Sequence, residues 1–280
     1  MNYMNQKEFE WLHLAQMEIM DEIHRICVDE GITYYLIAGS AIGALRHSGF
    51  IPWDFDIDCA MPRPEYVKFK AACERQLNPR FQYYDYKTVR GYTNPHALVG
   101  IKGTKLYRQY DKFNHETFHA GIYLDVFPLD AAPDTVEERE QHAAQVNAVK
   151  HKIYIKRHYN YSASPIKNTA KVIRSLRYAG ISIDQLNEEL DAEMRRYEKA
   201  GTHYLCSMAG RHPYENECSP IEWFGTPVLA QFEDRQYYIP QECDKYLRKM
   251  YGDYMQLPPE AERKANLEYF ETVVFDKEYE

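Results

Sequence analysis

The stretch "HSGFIPWDFDIDCAMPR", His47 to Arg63, carries Asp54, Asp56 and Asp58 at every second position. Residues two apart on a strand share a face, so this alternation predicts an extended segment with three carboxylates on one side and Phe55, Ile57 and Cys59 on the other. Two carboxylates about 4 Å apart repel by roughly 4 kcal/mol at an effective dielectric of about 20, so a fold keeps such a row only with a compensating proton, base or cation. Oxygen-only ligands with no histidine woven between them favour Mg²⁺ or Mn²⁺ over zinc. The plain structural alternative is a solvated strand edge whose charge resists aggregation.

The flanking sequence narrows the choice. "ITYYLIAGS", Ile32 to Ser40, reads as a short strand entering a turn, with Ser40 capping a helix that runs to Arg46. Gly39 lets backbone approach a ligand closely, Ser40 offers a hydroxyl, and the helix N-terminus presents N–H groups suited to a phosphate. Farther on, "GIYLDVFPLD" places Asp125 in an otherwise apolar strand and ends on Asp130, and either acid could complete a three-carboxylate cluster with Asp56 and Asp58.

Outward from this centre, apolar spacing predicts a helix over about Lys7 to Asp29, stopped by Gly31, and another over "RPEYVKFKAACERQL". Strands are expected at "FQYYDYKTV", "HALVGIKG" and "GIYLDVFPL", then a long helix over "TVEEREQHAAQVNAVKHKIYIKRH". "PVLAQFEDRQYYIP" reads as a hairpin and "QECDKYLRKMYG" as a helix ended at Gly252. The fold class is α/β, more narrowly α+β. Residues 1–132 read as a core with a mixed sheet and flanking helices, and 133–280 as a mainly helical region, with a late β-hairpin, packed on that core.

The chain has 280 residues and a formal charge of -8, which argues against a general nucleic-acid partner. That charge is uneven: between Glu140 and Asp184 there is no acid but there are eight lysines and arginines. This 141–183 region reads either as ordinary solvated helix faces, with Val172, Ile173 and Leu176 inside, or as a landing surface for an anionic polymer or membrane. "MNYMNQKEFEWLH" has no signal-peptide pattern, and no run approaches the ~20 apolar residues of a membrane span, so a cytoplasmic protein is expected, associated at most with the inner face of the membrane. The six cysteines lack CxxC pairing and are expected to be reduced. His203, Cys206, His212 and Cys218 match no standard zinc spacing and read as ordinary buried cysteines and surface histidines.

"AGSAIGALRHSGFIPWDFDIDCAMPRPEY", "GIYLDVFPLD" and "KYLRKMYGDYMQLPP" resemble the three signature blocks of the LicD family of phosphocholine transferases, which is similar also to the fukutin-related ribitol-phosphate transferases. The resemblance implies a nucleotidyltransferase-like fold and metal-dependent transfer of an alcohol phosphate, phosphocholine foremost, from a CDP-activated donor such as CDP-choline. The acceptor it implies is a hydroxyl of a cell-surface glycan, and CMP is released. By position it assigns Gly39 and Ser40 to the donor phosphates, Asp56 and Asp58 to the metal, and Asp125 to the third acid. Arg46 and Lys102 resemble two further basic positions, suited to stabilising the departing CMP. Phe55 stands where the commoner family wording, "WDDDID", has an acid, and it is expected to point away from Asp56 and Asp58.

Two other functions remain open in the residues. One is a sugar-nucleotide glycosyltransferase with an aspartate pair on Mn²⁺, and the other is a non-catalytic glycan- or metal-binding descendant of the fold. Many of the 25 tyrosines fall in "FQYYDYKTVRGY" and "YIKRHYNY"; they could hold a choline cation on their faces, but as packing residues they do not choose choline over ribitol or glycerol. The basic region suits an anionic acceptor such as a teichoic acid or lipopolysaccharide.

Overall fold

The computed structural model describes residues 4–108, 118–157, 165–267 and 270–274. It opens with helix α1 (Gln6–Glu30), strand β1 (Tyr35–Leu36), α2 (Ala38–His47), β2 (Asp58–Pro62) and α3 (Arg63–Gln76). Strands β3 (Phe81–Tyr84), β4 (Ala97–Ile101), β5 (Lys105–Arg108) and β6 (Tyr123–Ala132) follow, then helices α4 (Val136–Lys156), α5 (Pro165–Leu176) and α6 (Ile183–Met194). The remainder comprises β7 (Tyr204–Cys206), α7 (Tyr214–Glu217), β8 (Cys218–Pro220), α8 (Ile221–Phe224), β9 (Val228–Phe232), β10 (Arg235–Ile239), α9 (Cys243–Tyr251), α10 (Glu260–Leu267) and β11 (Phe270–Val274).

The principal sheet is ordered β1-β2-β6-β4-β3, with β7 and β8 added along the end of β6. Among the described residues of this sheet only β2 and β6 are parallel; the other pairs are antiparallel. This is the expected mixed sheet with flanking helices. α1 starts at a capping box, Asn5 with Glu8, and ends where Gly31 turns left-handed at φ 63°. Its apolar stripe, Leu12, Ile19, Ile23 and Ile26, shares one apolar core with Leu36, Cys59, Phe69, Val99 and Val126.

One apolar core takes residues from both sides of position 132. Phe224, Phe232, Tyr237, Tyr246 and Leu247 are buried in the same core as α1 and β2. Val146, Val149 and Ile153 of α4 instead join Leu186 and Leu190 of α6 and the thiols of Cys206 and Cys218 in a second cluster. The late hairpin also braces the loop after α2: Glu233 donates its N–H to the Ser48 carbonyl, and its carboxylate accepts the Phe50 N–H at 2.9 Å. A side chain at Gly49 would run into that carboxylate.

Two expectations at the centre are corrected. The strand begins at Asp58, not near Trp53, because β1 offers only two residues for pairing before the chain turns into α2. Residues 53–57 are therefore an irregular loop, held by the Asp54 N–H donating to the Ile51 carbonyl and by His13 bonding the Asp54 carbonyl at 2.8 Å. The next helix starts at Ala38, so Ser40 lies inside its first turn instead of capping it. The β5–β11 pair and the β7–β8 pair were not foreseen.

Candidate active site and metal centre

Asp58 opens β2, and its carboxylate stands beside that of Asp125, its register partner on β6. Asp56, from the loop just before the strand, reaches the same place: one oxygen from each of Asp56, Asp58 and Asp125 lies within 4.8 Å of the others. The three line a cavity of about 1160 Å³, walled by the start of α2, the end of α4 and residues 93–96, 207–212 and 251–259.

Burial, and then repulsion from the neighbouring carboxylates, pushes both Asp56 and Asp58 well above the ordinary carboxylate range. Asp54 is also raised by burial. A centre that traps protons in this way has the charge deficit a divalent cation fills, and its donor set is all oxygen. The residues therefore fit Mg²⁺ or Mn²⁺.

Ser40 is buried, and its hydroxyl oxygen accepts the Asp58 N–H at 2.8 Å. It fixes the first residue of β2 and is not a cavity-lining side chain. Gly39 does line the cavity; a Cβ there would sit 2.6 Å from Asp54 Oδ2, so the glycine gives the acidic loop its room. Beside it Ala38 is held at φ 49°, a left-handed conformation uncommon for a residue with a Cβ, at the helix end that faces the acids.

Arg46 lines the cavity, donates to the Tyr254 carbonyl and lies 5.9 Å from the Trp53 ring centre. Lys102 does not join it: its ammonium donates to the Pro79 carbonyl at 2.8 Å, at the turn after β4, outside the residues that line the cavity. Asp130 is also elsewhere. It is buried in a two-point ion pair with Arg63, both contacts 2.6 Å, which Asp191 flanks at 3.1 Å. Phe55 lines the cavity, because the alternation of strand faces does not operate in the loop.

Several residues reach the site without having been singled out. His96, just before β4, bonds Asp125 Oδ1 through Nε2 at 2.6 Å, and its Nδ1 is buried without a partner among the described residues. Lys150 on α4 and Arg157 just beyond its end, read only as part of the basic region, line the cavity, with the Lys150 ammonium donating to the Met208 and Gly210 carbonyls. Glu217 lines it too; burial pushes its carboxyl up to about 7, against the pull of the His212 N–H and Lys150. Tyr251 and Tyr254 come from the third signature block, the one signal that pointed to them.

Of the tyrosine runs, Tyr83 is core, Tyr84, Tyr86 and Tyr92 pack with Phe118, and Tyr154 reaches the cavity; Tyr159 and Tyr161 lie outside the described residues. Cys206 and Cys218 are free, buried register partners, and His203 pairs with Asp134.

Residues 31–161 match the family model described as LicD/FKTN/FKRP, nucleotidyltransferase domain. The chain is 25% identical over 258 residues, 90% of its length and 93% of the relative's, to the lipopolysaccharide cholinephosphotransferase LicD of Haemophilus influenzae. It is also 25% identical over 120 residues, 42% of its length and 35% of the relative's, to an uncharacterized protein of Rickettsia typhi.

Proposed function

We propose, from the LicD-family domain that this chain carries over residues 31–161, that the protein is a transferase moving phosphocholine from CDP-choline to a hydroxyl of a cell-surface glycan precursor, with release of CMP. The observation that carries this reading is the three-carboxylate centre of Asp56, Asp58 and Asp125 in a cavity large enough for a nucleotide donor. The H. influenzae relative, named a lipopolysaccharide cholinephosphotransferase, matches almost end to end.

Asp56, Asp58 and Asp125 would hold Mg²⁺ or Mn²⁺, which supplies neutralisation of the donor's diphosphate charge. The first turn of α2 lines the cavity at Ala38 and Gly39, and a helix N-terminus there suits a phosphate oxygen. Arg46 takes the side of the departing CMP. The acceptor oxygen attacks the choline-bearing phosphorus, the bond from that phosphorus to the bridging oxygen breaks, and the hydroxyl proton passes to the Asp125 carboxylate. His96 orients that carboxylate through its Nε2 contact. Tyr154, Tyr251 and Trp53 line the same space and give π faces for a quaternary ammonium group. Lys150, Arg157 and Arg211 make one wall cationic, as an anionic glycan such as lipopolysaccharide or teichoic acid requires.

The test is calorimetric titration of CDP-choline, CDP-ribitol and CDP-glycerol, with Mg²⁺ present or chelated, beside Asp58→Asn. Metal-dependent binding of CDP-choline that the variant loses is the expected result. Preference for another CDP-alcohol would change the alcohol and keep the centre. Binding of none, with a nucleoside-diphosphate sugar bound instead, would overturn the reading in favour of glycosyl transfer.

A further inference from the structure

Helix α5 presents its side chains in three stripes. Ile166 and Ile173 are seven residues apart, and Val172 and Leu176 fall beside them at helical spacing, so the four form one apolar face. That face is exposed: Ile166 by 83%, Val172 by 41%, Ile173 by 62% and Leu176 by 64%. Lys167 and Arg174, again seven apart, and Arg177 just beyond the helix form a second, exposed basic stripe. The half-buried residues of the helix are Asn168 and Ser175, so its less exposed side is the polar one. This inverts the usual arrangement, in which the apolar stripe of a surface helix faces the core.

We propose that α5 is an interfacial helix that seats the protein on an anionic lipid surface, with Ile166, Val172, Ile173 and Leu176 entering the headgroup region and the flanking cations meeting lipid phosphates. Charge complementarity selects this occupant. No acid lies between Glu140 and Asp184, so nothing in the segment repels an anionic surface, and the basic stripe borders the apolar one as interfacial helices require. An exposed apolar face of this kind, with no covering element among the described residues, marks an interaction site.

The position of the helix gives the contact a use. α5 packs on α4, whose last turns line the cavity with Lys150, Ile153 and Tyr154. The Lys156 ammonium also donates to the Tyr178 carbonyl at 3.0 Å, tying the end of α4 to the turn after α5. A bilayer under α5 would therefore lie beside a wall of the cavity, within reach of an acceptor carried on a lipid. That use rests on the proposed transfer; the docking itself does not.

The experiment is co-sedimentation of the full chain with phosphatidylcholine vesicles, with and without phosphatidylglycerol and with no nucleotide present, so its outcome stands apart from that of the donor titration. The parent chain should partition at least about tenfold better onto vesicles containing phosphatidylglycerol, and added salt should weaken the binding. Ile173→Asp with Leu176→Asp should abolish it, and Arg174→Glu with Arg177→Glu should remove the preference for anionic lipid. Both pairs are exposed, so circular dichroism should be unchanged; if the first pair unfolds, Ile166→Asp reads the same face. Absence of binding by the parent, or binding unchanged in the apolar variants, overturns the proposal. So does loss of self-association in those variants without any vesicle effect, which would assign the face to a second copy.

Discussion

Asp58 and Asp125 are register partners in the parallel pair β2–β6, so two carboxylates far apart in sequence face one cavity from adjacent strands. The Ser40 hydroxyl, 2.8 Å from the Asp58 N–H, sets the point at which that ladder begins.

A divalent ion should stabilise the fold through this pair. Mg²⁺ at about 100 times its dissociation constant adds about 2.7 kcal/mol, seen as a rise in Tm that chelation reverses. Asp58→Asn and Asp125→Asn should lose the rise and lower phosphocholine transfer by about 100-fold or more. In metal-free protein at pH 8, Asp58→Asn should be more stable than the parent in urea unfolding, because a carboxylate pushed above its ordinary range by burial and repulsion is removed. A variant with full activity and an intact metal response would refute the centre.

Metal affinity should rise with pH. Asp54, Asp56 and Asp58 all hold protons above the ordinary carboxylate range, so an incoming cation must displace them. Calorimetry in buffers of different ionisation heat should register proton release on Mg²⁺ binding; affinity flat between pH 5 and about 8 would contradict the clustered geometry.

Glu217 should give the apo protein a second pH dependence. Its carboxyl is raised from 4.5 to about 7, so between these values the native state binds more protons than the unfolded state. Stability then falls as pH rises through that window, by on the order of 2–3 kcal/mol. Urea unfolding of Glu217→Gln at pH 5 and pH 8 should show a smaller difference than the parent.

His96 is a positioning residue for Asp125. His96→Ala should weaken Mg²⁺ binding or turnover by about 10–100-fold, with partial recovery in His96→Gln, whose amide can still donate to the carboxylate. Equal metal affinity and turnover in parent and His96→Ala would remove that role.

Asp130 and Arg63 should behave differently from Asp125. Arg63→Met leaves the buried Asp130 carboxyl without its two-point partner and should cost about 3–5 kcal/mol in urea unfolding. Asp130→Asn should leave Mg²⁺ affinity at the parent level. A fall in affinity as large as that of Asp125→Asn would make Asp130 the third acid.

Much of this was legible because it is local. Periodicity located α1, α3, α4 and α9 within a few residues of their ends, and the Gly31 and Gly252 stops were read correctly. The row of aspartates was visible, yet its backbone was misread, since extended sequence becomes a strand only where a neighbour offers hydrogen bonds, and β1 is two residues long. Lys102 shows the same limit: a cation beside a predicted strand carried no information about which way the turn after β4 would send it.

Residue type and short-range spacing are enough to set the mixed α/β class, the clustering of acids in one segment and the uneven charge of 141–183. The tertiary structure alone decided that Asp125 and not Asp130 meets Asp56 and Asp58, that His96 and Lys150 reach the same cavity, and that α5 turns its apolar stripe outward. Those outcomes depend on strand register and on which helix face finds a partner, and both are set by contacts between residues distant in the chain.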